Sequence, residues 1–226
     1  MFAYLPGLIC LLCHIRLSVR EAGGAGEIQL CSSCLASLPW RNSAAPFETT
    51  PDLDPLIAPL DYRACTADWV VRAKRSAGLV EARVLGALLA RALVDAYPFP
   101  ERRPEFLIPV PLSWQRLFRR GHNQAALIAG PVHRALGIPV AHTAVRRTRH
   151  SPIQPGRGSR GRRENVEAVF AARRRWQGES LAILDDVYTT GATAAALARC
   201  LRQAGAGDIH VWCATRSRAE SDEPAR

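Results

Sequence analysis

A chain of 226 residues is long enough for one main domain with a small addition, and 48% hydrophobic residues are enough to build a core. The formal net charge is +10, and because Lys74 is the sole lysine, almost all of the positive charge is arginine, which stays ionised and grips phosphate oxygens in pairs. No run of about 18 uncharged apolar residues occurs, which excludes a membrane-spanning helix. The apolar start MFAYLPGLICLLCHIRL has neither the basic lead nor the cleavage site of a secretory leader, so a soluble, cytoplasmic protein is expected.

In chain order, the first feature is a pair of CxxC motifs, Cys10 with Cys13 and Cys31 with Cys34, separated by 17 residues. That spacing suits a tetrahedral, four-cysteine zinc ribbon over residues 1–40. Four thiolates leave no open coordination position, so the Zn2+ would be structural. A redox pair or buried reduced thiols is the alternative, and His14 is a weaker candidate ligand. Cys65, Cys200 and Cys213 lie among apolar residues and read as core. Residues 41–60, rich in Pro, Ala and Thr, read as a linker to a main domain over 61–218.

Within that domain, Val80, Val84 and Leu88, with Leu85, Leu89 and Leu93, recur at three- and four-residue spacing and predict a helix over Leu79–Tyr97, stopped by Pro98. Phe106–Val110 reads as a buried strand, followed by a turn at Pro111 and Leu112 and a basic segment that enters a helix over Gln124–Ala129. Residues 147–164 carry many Arg, Gly and Pro residues without apolar periodicity and read as a loop. LAILDD at 181–186 predicts a strand, Gly191–Ala204 a helix and DIHVWCAT at 208–215 another strand; residues 219–226 read as a disordered tail. Strand and helix in alternation predict an α/β fold with a parallel sheet, which places Asp185 and Asp186 at the strand edge where such sheets bind ligands.

The segment ILDDVYTTGAT has a chemical use for each part. Gly191 lets the backbone turn tightly and approach a ligand, and the N–H groups of the turn and the first helical residues form an anion cradle. Thr189, Thr190 and Thr193 add hydroxyl donors. Two adjacent carboxylates beside such a cradle would repel a bare phosphate, so Asp185 and Asp186 fit the hydroxyls of a sugar phosphate, with Mg2+. The plain alternative is a strand end with a Thr cap. Further upstream, Arg116, Arg119 and Arg120 are cations beside a glycine turn, with Asn123 and Gln124 at a helix start, an arrangement able to neutralise a departing pyrophosphate. A solvated basic helix end is the alternative there.

LAILDDVYTTGAT closely resembles the phosphoribosyl pyrophosphate (PRPP) signature of type I phosphoribosyltransferases, and LIPVPLSWQRLFRRGHNQAALIA resembles the ComF proteins. The second likeness extends to Lys74 and to RTRHSPIQ…RRENVEAVF, with Arg147, Gln154, Arg162, Asn165 and Phe170; Ser151 replaces the family's Thr, and His122 its Phe. The resemblance implies a type I phosphoribosyltransferase domain with a small amino-terminal zinc ribbon. Asp185 and Asp186 would serve as catalytic residues that contact the ribose, Thr189, Thr190, Gly191, Ala192 and Thr193 would hold the 5′-phosphate, and Arg116, Arg120 and Lys74 would complete the PRPP site. Zn2+ and Mg2+ are the implied metals.

Two functions of different class follow. The ComF resemblance implies natural competence, with single-stranded DNA and competence proteins, a helicase and a recombination mediator, as partners. The PRPP signature implies a phosphoribosyltransferase acting on an unidentified nitrogenous acceptor, as in nucleotide salvage. The arginines of the 147–164 loop suit either a lid that excludes water or a contact with nucleic acid.

Overall fold

The computed structural model describes residues 9–17, 28–41, 48–50, 53–75, 78–148 and 169–217. The expected loop beyond Thr148, with Arg149, Ser151, Gln154, Arg157, Arg160, Arg162, Arg163 and Asn165, and the expected tail at 219–226 lie outside these residues.

Four parallel strands form the frame: β2 (Leu53–Ile57), β4 (Phe106–Pro109), β7 (Leu181–Tyr188) and β8 (Ile209–Arg216), in the order β2-β8-β7-β4. A short β1 (Glu48–Thr50) adds antiparallel to β2, and β3 (Leu60–Asp61) pairs in parallel with the end of β8. The linker reading of 41–60 is thereby corrected: three strands of the sheet come from this stretch. Pro55 disguises β2, since it cannot donate to a ladder, and the pairings skip it, running through Leu53, Leu56 and Ile57.

Alternation along the central strands divides the apolar residues between two faces. Ala182 and Leu184 of β7, with Trp212 and Ala214 of β8, join a core built on α3 (Leu79–Ala96) and α5 (Gln124–Leu136). Leu181, Ile183, Val211 and Cys213 face the other way, against Leu197, Ala198 and Leu201 of α6 (Ala192–Gln203). Leu85, Leu88, Leu89, Ile128 and Val132 are wholly or almost wholly buried where α3 meets α5, and burial of each stabilises the fold by roughly 1.5–3 kcal/mol. Gly86 allows that approach, because a Cβ there would lie 2.6 Å from the Ile128 carbonyl oxygen. The predicted strands and helices are thus present, β7 continuing two residues past the acids and α5 running seven residues past Ala129.

The cysteine region is not a detached appendage. Cys10, Leu17, Leu30, Cys31 and Leu38 belong to the same apolar cluster as Leu60, Leu88 and Trp212. The Trp40 indole donates to the Leu35 carbonyl at 2.9 Å, and Arg41 Nη1 pairs with Asp61 Oδ1 at 2.8 Å. The thiols outside the ribbon divide: Cys213 is buried, whereas Cys65 and Cys200 are only partly covered and are not full core residues.

Candidate functional site

The site assembles where β4 and β7 end. Side by side in the sheet, Pro109 is opposite Leu184 and the Val110 N–H donates to the Leu184 carbonyl, so the turn after β4 sits beside Asp185 and Asp186. Asp186 is buried and its carbonyl accepts from Thr215 Oγ1 at 3.0 Å, which fixes the backbone from the β8 side. Asp185 Oδ1 accepts the Asp186 N–H at 2.9 Å. Burial pushes the Asp185 carboxyl well above its usual range, and the adjacent Asp186 charge pushes it further in the same direction.

Lys74 reaches this pair from far away in sequence. It is the C-cap of α2 (Ala64–Ala73), and its Nζ lies 3.1 Å from Asp186 Oδ2. The helix is oriented at both ends. At its start, Thr66 Oγ1 donates to the Asp61 carbonyl at 2.6 Å; at its finish, His122 Nε2 lies 2.8 Å from the Ala73 carbonyl oxygen. A carbonyl only accepts, so that ring nitrogen must carry the proton. His122, where the family resemblance has Phe, therefore straps the end of α2 to the junction before α5. The next residue, Asn123, caps α5 by accepting the Ala125 N–H while its Nδ2 donates to the Val110 carbonyl at 3.0 Å.

The basic segment, read from the sequence only as leading into the next helix, forms a helix of its own: α4 (Trp114–Arg120), started by Ser113, whose hydroxyl accepts the Arg116 N–H, and ended by Gly121 in a left-handed conformation. Arg120 Nη1 donates to Gln124 Oε1 at 3.1 Å. Burial and the charge of Arg116 press the Arg120 guanidinium below its ordinary value, while the Asp186 carboxylate opposes this. Arg147, on β5 (Val145–Arg147), experiences the same balance: burial and Arg116 lower it, and Asp185 raises it, while its guanidinium lies 5.5 Å from the Phe170 ring centroid. Lys74, Arg120 and Arg147 thus bear on the two acids, with Arg116 acting on both arginines, an excess of positive charge suited to an anionic ligand. Arg147, which the family resemblance includes without a role in the expected PRPP site, lies within electrostatic reach of Asp185.

Gly191 caps α6 with φ +75°, and a Cβ there would lie 2.3 Å from the Tyr188 hydroxyl, so the turn requires glycine both for conformation and for space. Thr189, Thr190, Ala192 and Thr193 are exposed around it, and Thr190 Oγ1 accepts the Ala192 N–H at 3.4 Å. The predicted cradle is therefore open to a ligand and follows the acid pair directly along the chain.

At the other constellation, the ligand atoms of Cys10, Cys13, Cys31 and Cys34 all lie within 4.8 Å of one another and could hold a metal ion. Burial pushes the Cys10 thiol up, but the N–H groups of Cys13, Cys31 and Leu12 together outweigh it and hold the thiol at about 6. Burial and the neighbouring sulfurs push Cys34 strongly upward. A readily ionised Cys10 beside Cys13 and Cys34 thiols that are pushed upward is an imbalance that a bound cation would relieve.

A parallel sheet whose inner strand ends in an acid pair, followed by a Thr/Gly turn opening a helix, is the arrangement that the resemblance to type I phosphoribosyltransferases implies. No family model matches the chain. It is 32% identical over 225 residues to DNA utilization protein YhgH of Escherichia coli O157:H7, covering 94% of this chain and 98% of that one. It is 36% identical over 139 residues to competence protein F of Haemophilus influenzae, covering 60% and 61%. The chain belongs to this ComF family of competence and DNA utilization proteins. Among solved structures, glutamine PRPP amidotransferase of B. subtilis matches 66% of this chain and 30% of its own, at 19% identity and a TM-score of 0.43. Among the described residues no helix is long and apolar enough to cross a membrane.

Proposed function

We propose that this chain binds PRPP with Mg2+ at the carboxyl end of β7 and acts in the cytoplasm in the handling of incoming single-stranded DNA, alongside competence proteins. The observation that carries the reading is the acid pair itself: Asp185 and Asp186 sit at the end of β7, Asp186 is paired with Lys74, and Arg120 and Arg147 lie within electrostatic reach. Ribose hydroxyls donate to these two carboxylates and the Gly191 turn receives the 5′-phosphate. Arg116, Arg120 and Arg147 balance the pyrophosphate charge, which grows as that group departs. Mg2+ supplies further neutralisation of the pyrophosphate when bound.

The DNA component of the reading is supported by the names of the relatives and by α4, whose Trp114, Leu117 and Phe118 are exposed next to Arg116 and Arg119. Aromatic rings among cations suit stacked bases and a phosphate backbone. Zn2+ is the metal that best fits the cysteines. Ligand bonds of about 2.3 Å at tetrahedral angles imply sulfur separations near ~3.8 Å, and Cys13 and Cys31 Sγ are 3.7 Å apart.

Calorimetry with PRPP and Mg2+ tests the ligand site. Saturable, micromolar-range binding by the wild type that disappears in the Asp185→Asn, Asp186→Asn variant supports the reading, and no heat with the wild type overturns it. Should binding hold, pyrophosphate release in the presence of nitrogenous acceptors decides whether the site also transfers the ribosyl group.

A further inference from the structure

At the opposite end of the sheet a cavity of about 320 Å3 opens between the segment that follows β6 (Phe170–Ala172) and the last turn of α6. Its lining includes Arg173, Arg174, Arg175, Cys200 and Gln203. It is remote from the acid pair: the four steps along β7 from Leu181 to Asp185 alone span about 13 Å at the usual rise of a strand.

The three consecutive arginines have unequal duties. Arg174 is committed. Its guanidinium lies 4.4 Å from the Phe106 ring centroid and 4.2 Å from that of Trp176, and Nη2 pairs with Glu179 Oε1 at 3.2 Å. Glu179 also accepts the Gln177 N–H, so each of its oxygens already has a partner. Arg175 uses one nitrogen, Nη1, to donate to the Gln203 carbonyl at 3.4 Å, which leaves the other face of its fork for a second acceptor. Arg173 is tied by its backbone, its N–H donating to the Ala144 carbonyl at 2.7 Å, and its side chain lines the cavity. Three guanidiniums against one carboxylate leave a local charge of +2 around a concave space large enough for a small ligand.

We propose that this cavity is a second oxyanion site, separate from the β7 site, which takes the phosphate group of a nucleotide or nucleic acid between Arg173 and Arg175. A tetrahedral phosphate offers enough acceptor oxygens to engage two guanidiniums at once, in the bidentate manner that arginine favours. Capping the carboxyl end of α6 would need a single cation, and Arg175 already supplies it. The proposal is independent of PRPP binding.

Arginine modification by phenylglyoxal, read residue by residue by mass spectrometry after chymotryptic digestion of the full-length protein, tests it. The probes are inorganic phosphate, AMP and an oligothymidylate without terminal phosphates. Arg173 and Arg175 should react about tenfold more slowly with a probe at ten times its dissociation constant, while exposed Arg83 and Arg91 on α3 keep their rates. Protection by phosphate and AMP identifies a terminal phosphate as the ligand; protection by the oligonucleotide alone identifies a backbone phosphodiester. The same protection in the Asp185→Asn, Asp186→Asn variant would separate this site from the other. Equal slowing at Arg83 and Arg91, or no protection with any probe, overturns the proposal. As a second measure, Arg173→Gln should abolish AMP protection of Arg175 without changing the thermal midpoint; a lowered midpoint with protection intact would reduce the arginines to structural supports.

Discussion

Two clusters in this molecule crowd groups that repel one another when ionised, and they handle the conflict differently. The cysteine cluster gathers four sulfurs with no cation from the described residues among them, so its balance depends on something bound. The acid pair has a resident counter-ion, Lys74, and a surrounding set of arginines. The first arrangement would make a bound metal part of folding; the second would let the fold persist with or without a ligand. Burial reinforces the contrast. Cys10 and Cys31 lie inside the principal core, whereas the cradle around Gly191 is open.

The largest effect should come from breaking the first cluster. Cys31→Ser removes a buried thiol of the proposed metal site that also caps α1 (Ser32–Ala36), and should cost about 4 kcal/mol or more, with loss of bound metal by mass spectrometry and a large fall in the thermal midpoint. A variant that folds normally and lacks metal would show that the cluster is not a folding element.

The second cluster should respond in the opposite sense. Asp185 has a raised pKa in the folded state, so the native protein binds more protons than the unfolded chain, and stability must fall as pH rises from the unfolded value of about 4 through the folded one. Asp185→Asn removes that penalty. The variant should melt above wild type at neutral pH without ligand, and the difference should shrink to nothing as pH approaches about 4, even as PRPP binding is lost. A difference that does not vary with pH would break the contrast.

The smallest effect sharpens it. His122→Phe, a change to the residue of the family pattern, removes the donor to the Ala73 carbonyl and should cost about 1 kcal/mol. Because Lys74 follows Ala73, PRPP affinity should weaken as well, while the metal content of the cysteine cluster stays unchanged. Unaltered affinity with lowered stability would mean that the strap supports the fold alone.

What the sequence disclosed depended on whether a feature is local. The turn at Gly191, the strand into Asp185 and the CxxC pairs were legible, because their chemistry is written in neighbouring residues. Lys74 entered the expected site only through the family resemblance, and its ion pair with Asp186 was not legible in the residues themselves, since the two meet only when α2 ends beside β7 and no periodicity announces that. Arg147 reaches the site through the short pairing of β5 with β6, with Phe170 opposite it in register. Strand β2 escaped for a different reason: Pro55 and its acidic neighbours hide an apolar register that shows only in Leu56 and Ile57, paired with Val211 and Trp212.

The common core of the ribbon and the sheet bears on modularity. A protein whose metal knuckle hangs on a tether can exchange or lose it during evolution and remain whole. Here Leu60 shares one apolar cluster with Leu17, Leu30 and Leu38, Asp61 is paired with Arg41, and the carbonyl of Asp61 holds the start of the helix that delivers Lys74. Detaching the ribbon would therefore bare an apolar seam and loosen the route to the acid pair, so the two parts should be inherited together or not at all.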